Sequence, residues 1–258
     1  MKIAGGLMAF AATAGAATSV CAQSDKLTPM QERIQVQQRR LTSANVEERR
    51  DALMALGAMN HPEAARAAVP ALNDPEAVVR VTAAHALRAL SGADAAAALL
   101  PLLQDKTEFV RREVASALGN THSKSAVQPL IELLSADKES SVRAAAAMSL
   151  GKLQDEAAVV PLVNILSGAG APKKKSREDD FVMRSAAQSL GLIRSHAGVA
   201  ALIATLNNEQ APIELRRTAA ESLGAIGDPS ALPALKSATD SADPHLSQTA
   251  RAALRRLH

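Results

Sequence analysis

The sequence has almost no aromatic residues and almost no cysteine. Its 258 residues include three phenylalanines, no tryptophan, no tyrosine and one cysteine, while 47% are hydrophobic. β-Strands favour aromatic and β-branched side chains, whereas Ala and Leu favour helices that can approach one another closely. A chain of this length and apolar content can bury a core, which excludes the intrinsically disordered class. The composition therefore predicts an all-α protein.

The one cysteine, Cys21, lies at the end of a segment that has the anatomy of a secretory signal peptide. Lys2 precedes an apolar stretch over residues 3–17, and a site suitable for cleavage follows at Ala22. A lipid anchor on this cysteine is the alternative, but the residues just before it do not fit the usual lipidation pattern. We therefore predict that residues 1–22 are a signal peptide and that the mature protein is periplasmic or secreted.

The predicted mature chain contains no cysteine, which excludes a disulfide, a thiolate nucleophile and a zinc–thiolate site. No other apolar run approaches the roughly 20 residues that span a bilayer, so we predict no stable membrane insertion. The 29 basic and 26 acidic side chains give a formal net charge of +3 and are mostly interspersed. Such a balance does not indicate nucleic acid as a partner.

An internal repeat organises the rest of the chain. Around each repeated leucine the same small-residue pattern recurs, as in VRREVASALG from Val110 and VRAAAAMSLG from Val142. Apolar residues at intervals of three and four predict an amphipathic helix, and its alanines predict close helix packing. The marker leucines, separated by 31, 31, 32, 40, 33 and 31 residues, are Leu56, Leu87, Leu118, Leu150, Leu190, Leu223 and Leu254.

Each such helix alternates with a second apolar helix that carries an early proline in most units. Proline fits a first helical turn and bends a helix when it lies deeper. Glycines that follow the marker leucines, such as Gly119 and Gly151, are predicted to end or loosen the helix before them. The prolines are Pro70, Pro101, Pro129, Pro161 and Pro233.

These helical pairs resemble the HEAT-repeat family, especially the short bacterial repeats also found in phycobilin lyase subunits. The resemblance implies an α-solenoid of about six to seven stacked hairpins over residues 46–258, preceded by a capping helix within residues 23–45. In the family, an Asp between two helices and an Arg six residues later form a ladder along the stack. The chain keeps this pattern in three repeats and departs from it later, so we predict a ladder that fades toward the C terminus. The predicted members are Asp74 and Arg80, Asp105 and Arg111, and Asp137 and Arg143.

The spacing of 40 residues locates an inserted loop at residues 168–180. Its Gly, Pro and Ala content predicts an exposed loop, and Lys173, Lys174 and Lys175 make one part of it positive. The triplet is a possible partner contact, although its composition favours a simple solvated linker.

No catalytic or metal-binding constellation assembles in this fold. H-E-x-x-H, C-x-x-C and G-x-S-x-G are absent. His61, His122 and His196 fall in equivalent turns of alternate repeats, and helix spacings of about 8–10 Å place them too far apart to share a metal ion. We therefore predict no enzyme activity, no cofactor and turn positions for these three histidines.

Binding is then expected on the concave side of the arch, which the family resemblance assigns to the helices that carry the marker leucines. Four arginines stand six residues before a marker leucine and could form a row that contacts carboxylates. The alternative is that their long side chains only make an alanine-rich surface soluble. Phe109 and Phe181 are expected in the core. The arginines of the row are Arg50, Arg112, Arg184 and Arg217.

Two functions are compatible with this sequence. The first is a non-catalytic exported scaffold or adaptor that binds another protein through the concave face. The second is a subunit of a bilin-lyase-like enzyme or a chromophore chaperone, against which the signal peptide argues. Both follow from the family resemblance, since no single motif specifies a partner.

Overall fold

A computed structural model describes residues 27–168 and 179–257 of the protein. Over these ranges the chain forms fourteen α-helices and no β-strand, which confirms the all-α solenoid. The helices are α1 Pro29–Arg40, α2 Val46–Ala58, α3 Pro62–Ala68, α4 Ala77–Ala86, α5 Gly92–Leu99, α6 Glu108–Gly119, α7 Val127–Ala136, α8 Ser140–Leu153, α9 Val159–Leu166, α10 Asp180–Ile193, α11 Val199–Asn207, α12 Ile213–Ile226, α13 Leu232–Ala238 and α14 Pro244–Leu254.

The helices pair into seven hairpins, each made of an odd-numbered helix and the even-numbered helix that follows it. The first hairpin uses α1, which is capped by Thr28 and presents one buried residue, Ile34. The inserted loop lies between α9 and α10, and Lys173, Lys174 and Lys175 lie outside the described residues. The signal-peptide residues also lie outside them.

The odd-numbered helices change their winding next to the recurrent prolines. α3 and α5 continue as 3₁₀ turns over Val69–Asn73 and Leu100–Gln104, whose second residues are Pro70 and Pro101. In the later hairpins the 3₁₀ turn comes first, and Pro129, for example, lies in the first turn of α7. Because proline lacks an amide hydrogen, it interrupts the α-helical hydrogen bonding wherever it does not lie in the first turn.

The even-numbered helices pack against one another much more extensively than the odd-numbered helices do. The layer with the closer spacing must lie on the inner side of a curved stack. The even-numbered helices are therefore called the inner helices below, and their solvent-facing side is called the inner face. This placement agrees with the concave side expected from the family resemblance.

Small residues make this close packing possible. The alanines that precede the marker leucines are buried, as are the leucines themselves except Leu254, which is partly buried, and together they form one continuous core along the stack. This result confirms that the alanines are packing residues. None of the helices within the described ranges is long and apolar enough to cross a membrane.

The glycines after the marker leucines lie within the inner helices except Gly119, which is the last residue of α6. The expectation that they end those helices is therefore wrong for Gly151, Gly191 and Gly224. A Cβ atom on Gly119 would lie 2.8 Å from the Cα atom of Ser149 on the next inner helix, and Gly151 faces Ser189 at the same distance. The hydroxyl groups of Ser149 and Ser189 each donate a hydrogen bond of 2.8 Å to a carbonyl of the preceding inner helix. The glycines are thus required by helix-to-helix approach rather than by a turn. We call these pairs the glycine contacts: Gly57–Ala86, Gly119–Ser149, Gly151–Ser189, Gly191–Ser222 and Gly224–Ala253.

An arginine–aspartate ladder connects successive hairpins. The Nε and Nη2 atoms of Arg80 donate to the two carboxylate oxygens of Asp105 in the next hairpin, at 2.8 and 2.9 Å. Arg80 also donates through Nη1 to the backbone carbonyl of Asp74, six residues earlier. The Asp and Arg of one repeat therefore meet through the backbone, while the bidentate ion pair joins neighbouring repeats. Arg111 and Asp137 repeat this arrangement, and Arg143 donates to the carbonyl of Asp137.

The ladder begins earlier than expected and reappears in the last hairpin. Arg49 makes the same bidentate pair with Asp74, at 2.7 and 2.9 Å. Near the C terminus, Arg217 pairs with both oxygens of Asp243, at 3.0 and 2.6 Å. The prediction of a ladder that fades is therefore wrong for this hairpin, because the arginine one position later in the helix reaches the carboxylate.

Each ladder aspartate has a second task at the start of an inner helix. Asp105 accepts a hydrogen bond of 2.8 Å from the backbone N–H of Thr107. Asp74 and Asp137 accept the equivalent bonds from the N–H groups of Glu76 and Glu139. Burial alone would raise the pKa of Asp105, but the hydrogen bonds from Arg80 and Thr107 outweigh it and lower that pKa. The ladder thus holds the ends of the inner helices at fixed positions.

Candidate partner-binding surface

The inner face carries the arginine row, and the structure divides that row into two kinds of environment. Arg50 and Arg217 are held by acidic side chains of the protein itself. Arg50 donates to Glu47 at 2.6 Å, and Arg217 forms the ladder pair with Asp243. These two guanidinium groups are matched with carboxylates of their own chain, and neither lies over an aromatic ring of the described residues.

Arg112 and Arg184 are arranged differently, because each lies over an aromatic ring. The Arg112 guanidinium is 5.3 Å from the ring centre of Phe109, and Arg184 is 5.8 Å from that of Phe181. Within the described residues Arg184 makes no ion pair, while Arg112 donates twice to the same carboxylate oxygen of Glu113. A cation over a ring face is stabilised by the ring quadrupole, which orients both groups.

The expectation that Phe109 and Phe181 belong to the core is wrong. Their side chains are 38% and 51% exposed, among the few large apolar groups on the protein surface. Each ring lies at the start of its inner helix, three residues before its arginine, and therefore on the same helix face. The structure thus presents two phenylalanine–arginine pairs on α6 and α10, which we call the Phe–Arg pairs.

Helix α8 lies between the two pairs and carries small side chains at the corresponding positions. Its residue equivalent to the arginines is Ala144, which is buried, and Ser141 and Ala145 lie beside it. Two spacings of about 8–10 Å place the rings roughly 20 Å apart, with the small side chains of α8 between them.

The three turn histidines are separate and do not form a metal site. His61 caps α3 by accepting from the N–H of Glu63, and His122 has a left-handed backbone with φ of 54°. The ring of His196 is 2.5 Å from a carboxylate oxygen of Asp228 in the next hairpin. The hydrogen bond from His196, supported by Ser230, lowers the pKa of Asp228 to about 2. Over residues 27–168 and 179–257, no three metal-ligating side chains cluster.

The Phe–Arg pairs could have been read from the sequence. Phe109 and Phe181 both stand nine residues before a marker leucine, and their arginines stand six residues before it. Residues three apart share a helix face. If the arginine row faces solvent, these two rings must face solvent as well. The pairing of Arg217 with Asp243 has no such signal, because the reach of a long side chain depends on the geometry between hairpins.

Solved structures share this architecture. The complex of CpcE and CpcF of phycocyanin lyase from Nostoc sp. PCC7120 is 22% identical, with 95% of this chain and 92% of that chain covered and a TM-score of 0.53. Escherichia coli YibA is 18% identical over 91% of this chain and 98% of its own, with a TM-score of 0.50. An engineered protein is 22% identical over 87% and 68%, with a TM-score of 0.55. These likenesses show the fold alone.

None of the characterised protein sequences compared with the chain matches it. The family model of HEAT repeats, in contrast, matches residues 36–117, 96–172 and 174–255. These segments cover most of the chain and follow the hairpins and the ladder described above. The protein therefore belongs to the HEAT-repeat family.

Proposed function

We propose that the protein is an exported, non-catalytic scaffold that holds another protein on its inner face. The observation that carries this proposal is the pair of exposed rings, Phe109 and Phe181, each covered by an arginine. Aromatic and arginine side chains dominate the binding energy of protein interfaces, and the chain contains only three phenylalanines in all. That two of them face solvent at equivalent positions favours a binding role over a packing role.

The contact residues of this proposal are the Phe–Arg pairs rather than the whole arginine row. Arg112 and Arg184 offer charge beside an apolar ring, which suits a partner segment with apolar and acidic side chains. Arg50 and Arg217 are left out of the proposed contact, because neither lies over an aromatic ring among the described residues.

Capture experiments with matched variants test this proposal. The mature protein is immobilised and exposed to periplasmic or secreted extract, and bound proteins are identified by mass spectrometry. The test variant is Phe109→Ala with Phe181→Ala, and the control is Val160→Ala, which truncates an exposed apolar side chain on the outer helix α9. The double variant should bind an inner-face partner about 30-fold or more weakly than the wild type, since a hot-spot truncation costs about 2 kcal/mol.

A charge variant, Arg112→Glu with Arg184→Glu, separates the arginines from the rings. We expect it to weaken the same partner while helical circular dichroism stays unchanged. Equal capture by the wild type, both double variants and the control would contradict the proposal. Export is tested independently by tagging the full-length chain at its C terminus, fractionating the cells and determining the N terminus, which we expect near Gln23.

A bilin-lyase-like or chromophore-chaperone role is the second candidate. It is supported by the similar fold of the phycocyanin lyase complex. Titration of the mature protein with phycocyanobilin, followed by visible absorption, decides between the two. A saturable shift of the bilin band would favour the second candidate, whereas an unchanged spectrum together with loss of capture in the phenylalanine variant would favour the scaffold.

A further inference from the structure

One junction between inner helices lacks a glycine contact. Five marker leucines are followed by a glycine that meets the next inner helix, but Leu87 is followed by Arg88. The long side chain of Arg88 cannot enter the space that a glycine leaves. Helix α4 ends at Ala86, and a 3₁₀ turn over Leu87–Ala89 carries this arginine to the surface.

The helices α4 and α6 pack against each other less extensively than any other two neighbouring inner helices. Ala117 stands opposite Arg88, where the glycine contacts have Ala86, Ser149, Ser189, Ser222 and Ala253. Those five residues are all 4% exposed or less, whereas Ala117 is only partly buried. This looser packing leaves a cavity of about 600 Å³ between α4, α5 and α6. A cavity of this size is ordinary for a small-molecule site.

The cavity has an apolar floor and a polar rim. Leu87, Ala95 and Leu99 are buried beneath it and supply the floor, while Arg88 and His85 reach the rim. The turn that closes one end is fixed, because a Cβ atom on Gly92 would collide with the carbonyl oxygen of Thr121. The site is therefore formed by the backbone as well as by side chains.

The rim carries one guanidinium group, Arg88, and one carboxylate, Glu113. Glu113 is the one carboxylate among the lining residues, and it accepts two hydrogen bonds from Arg112, at 3.1 and 3.0 Å. His85 lies 3.5 Å from the other oxygen of Glu113. Arg88 makes a single hydrogen bond within the described residues, a long one of 3.4 Å to the carbonyl of Gly57. The charge of Glu113 is thus matched by Arg112 outside the cavity, whereas Arg88 has donors available for an anion.

We propose that this cavity binds a small amphipathic carboxylate, with its acid group on Arg88 and its apolar body against Leu90 and Ala117, which line the cavity and are only partly buried. A guanidinium group recognises a carboxylate through two parallel hydrogen bonds, and contact with these two side chains removes the apolar body from water. This ligand site adjoins one Phe–Arg pair through the contact of Glu113 with Arg112. Its test varies Arg88 and needs no protein partner, so it does not depend on the scaffold proposal.

Octanoate is the probe, and octylammonium is its charge-reversed control. Each is titrated into the ¹⁵N-labelled mature protein at neutral pH, and amide shifts of Ala95, Leu99 and Ala117 are followed by NMR. We expect saturable shifts with octanoate and weaker binding of octylammonium. Arg88→Gln keeps a long side chain at the junction and removes its charge, so octanoate affinity should fall about tenfold or more. The matched control, Arg66→Gln, changes an exposed arginine on the outer helix α3 and should leave the affinity unchanged.

Arg88→Gly tests whether the arginine opens the cavity. A glycine there allows the missing glycine contact with Ala117 to form, so the octanoate shifts should disappear while the helical circular dichroism is retained. The proposal is overturned if octanoate gives no saturable shift at the cavity, if octylammonium binds as tightly, or if Arg88→Gln binds octanoate as well as Arg66→Gln does.

Discussion

Replacing Gly151 with alanine measures how much stability depends on the glycine contacts. The added Cβ atom would lie 2.8 Å from the Cα atom of Ser189, and a backbone atom cannot rotate away. Helix α8 or α10 must move by about 0.6 Å before this distance reaches the 3.4 Å of an ordinary contact. A backbone collision lies at the upper end of the roughly 1–3 kcal/mol that overpacking costs. The higher helix propensity of alanine offsets about 1 kcal/mol, so we expect a net loss of about 2 kcal/mol.

Urea unfolding followed by far-ultraviolet circular dichroism is the assay for this substitution. The matched control is Gly57→Ala, whose Cβ atom would lie 3.3 Å from the nearest atom, the Cα of Ala86, and needs almost no movement. We expect the unfolding midpoint of the control to stay close to that of the wild type. If Gly151→Ala is as stable as the wild type, or if both variants lose stability equally, the close approach of α8 and α10 does not limit packing.

The ladder and the carboxylate of Asp228, which contacts His196, give two further predictions. Arg111→Met leaves the buried carboxylate of Asp137 without its guanidinium and should cost about 3–5 kcal/mol in urea unfolding; adding Asp137→Asn, which keeps the helix cap without the charge, should recover part of this loss. The folded-state pKa of Asp228 is about 2, below its ordinary 3.8, so its stabilising contribution is complete above about pH 4 and is lost as the pH falls toward 2. Asp228→Asn should therefore show a smaller drop in unfolding midpoint between pH 5 and about pH 2.5 than the wild type; an equal drop would contradict this assignment.

The sequence predicts the architecture well because the repeat is visible in small residues. The marker leucines and their alanines locate every inner helix, and their burial depends only on helical periodicity. The sequence does not distinguish a glycine that ends a helix from one that touches a neighbour, since both follow the last apolar residue. Gly151 shows the difference, because its role appears only when the distance to Ser189 is known.

The candidate sites were less predictable for a different reason. The residue type of Phe109 predicts a position in the core, whereas its spacing from Arg112 indicates the solvent-facing side of the helix. Arg88 could also have been recognised, because it alone replaces the glycine after a marker leucine that has another inner helix beyond it. What the sequence does not supply is the width of the resulting gap, which depends on how α4 and α6 pack around the arginine side chain.

The distance between the Phe–Arg pairs is set by two glycine contacts, Gly119–Ser149 and Gly151–Ser189, which join α6 to α8 and α8 to α10. Helices in contacts this short cannot move closer together, whereas the outer helices pack against each other less extensively. If the arch bends, the change must occur mainly by opening or closing the outer layer. The inner face then keeps Phe109 and Phe181 at a constant separation. A partner that contacts both rings must therefore carry two contact groups at that same distance.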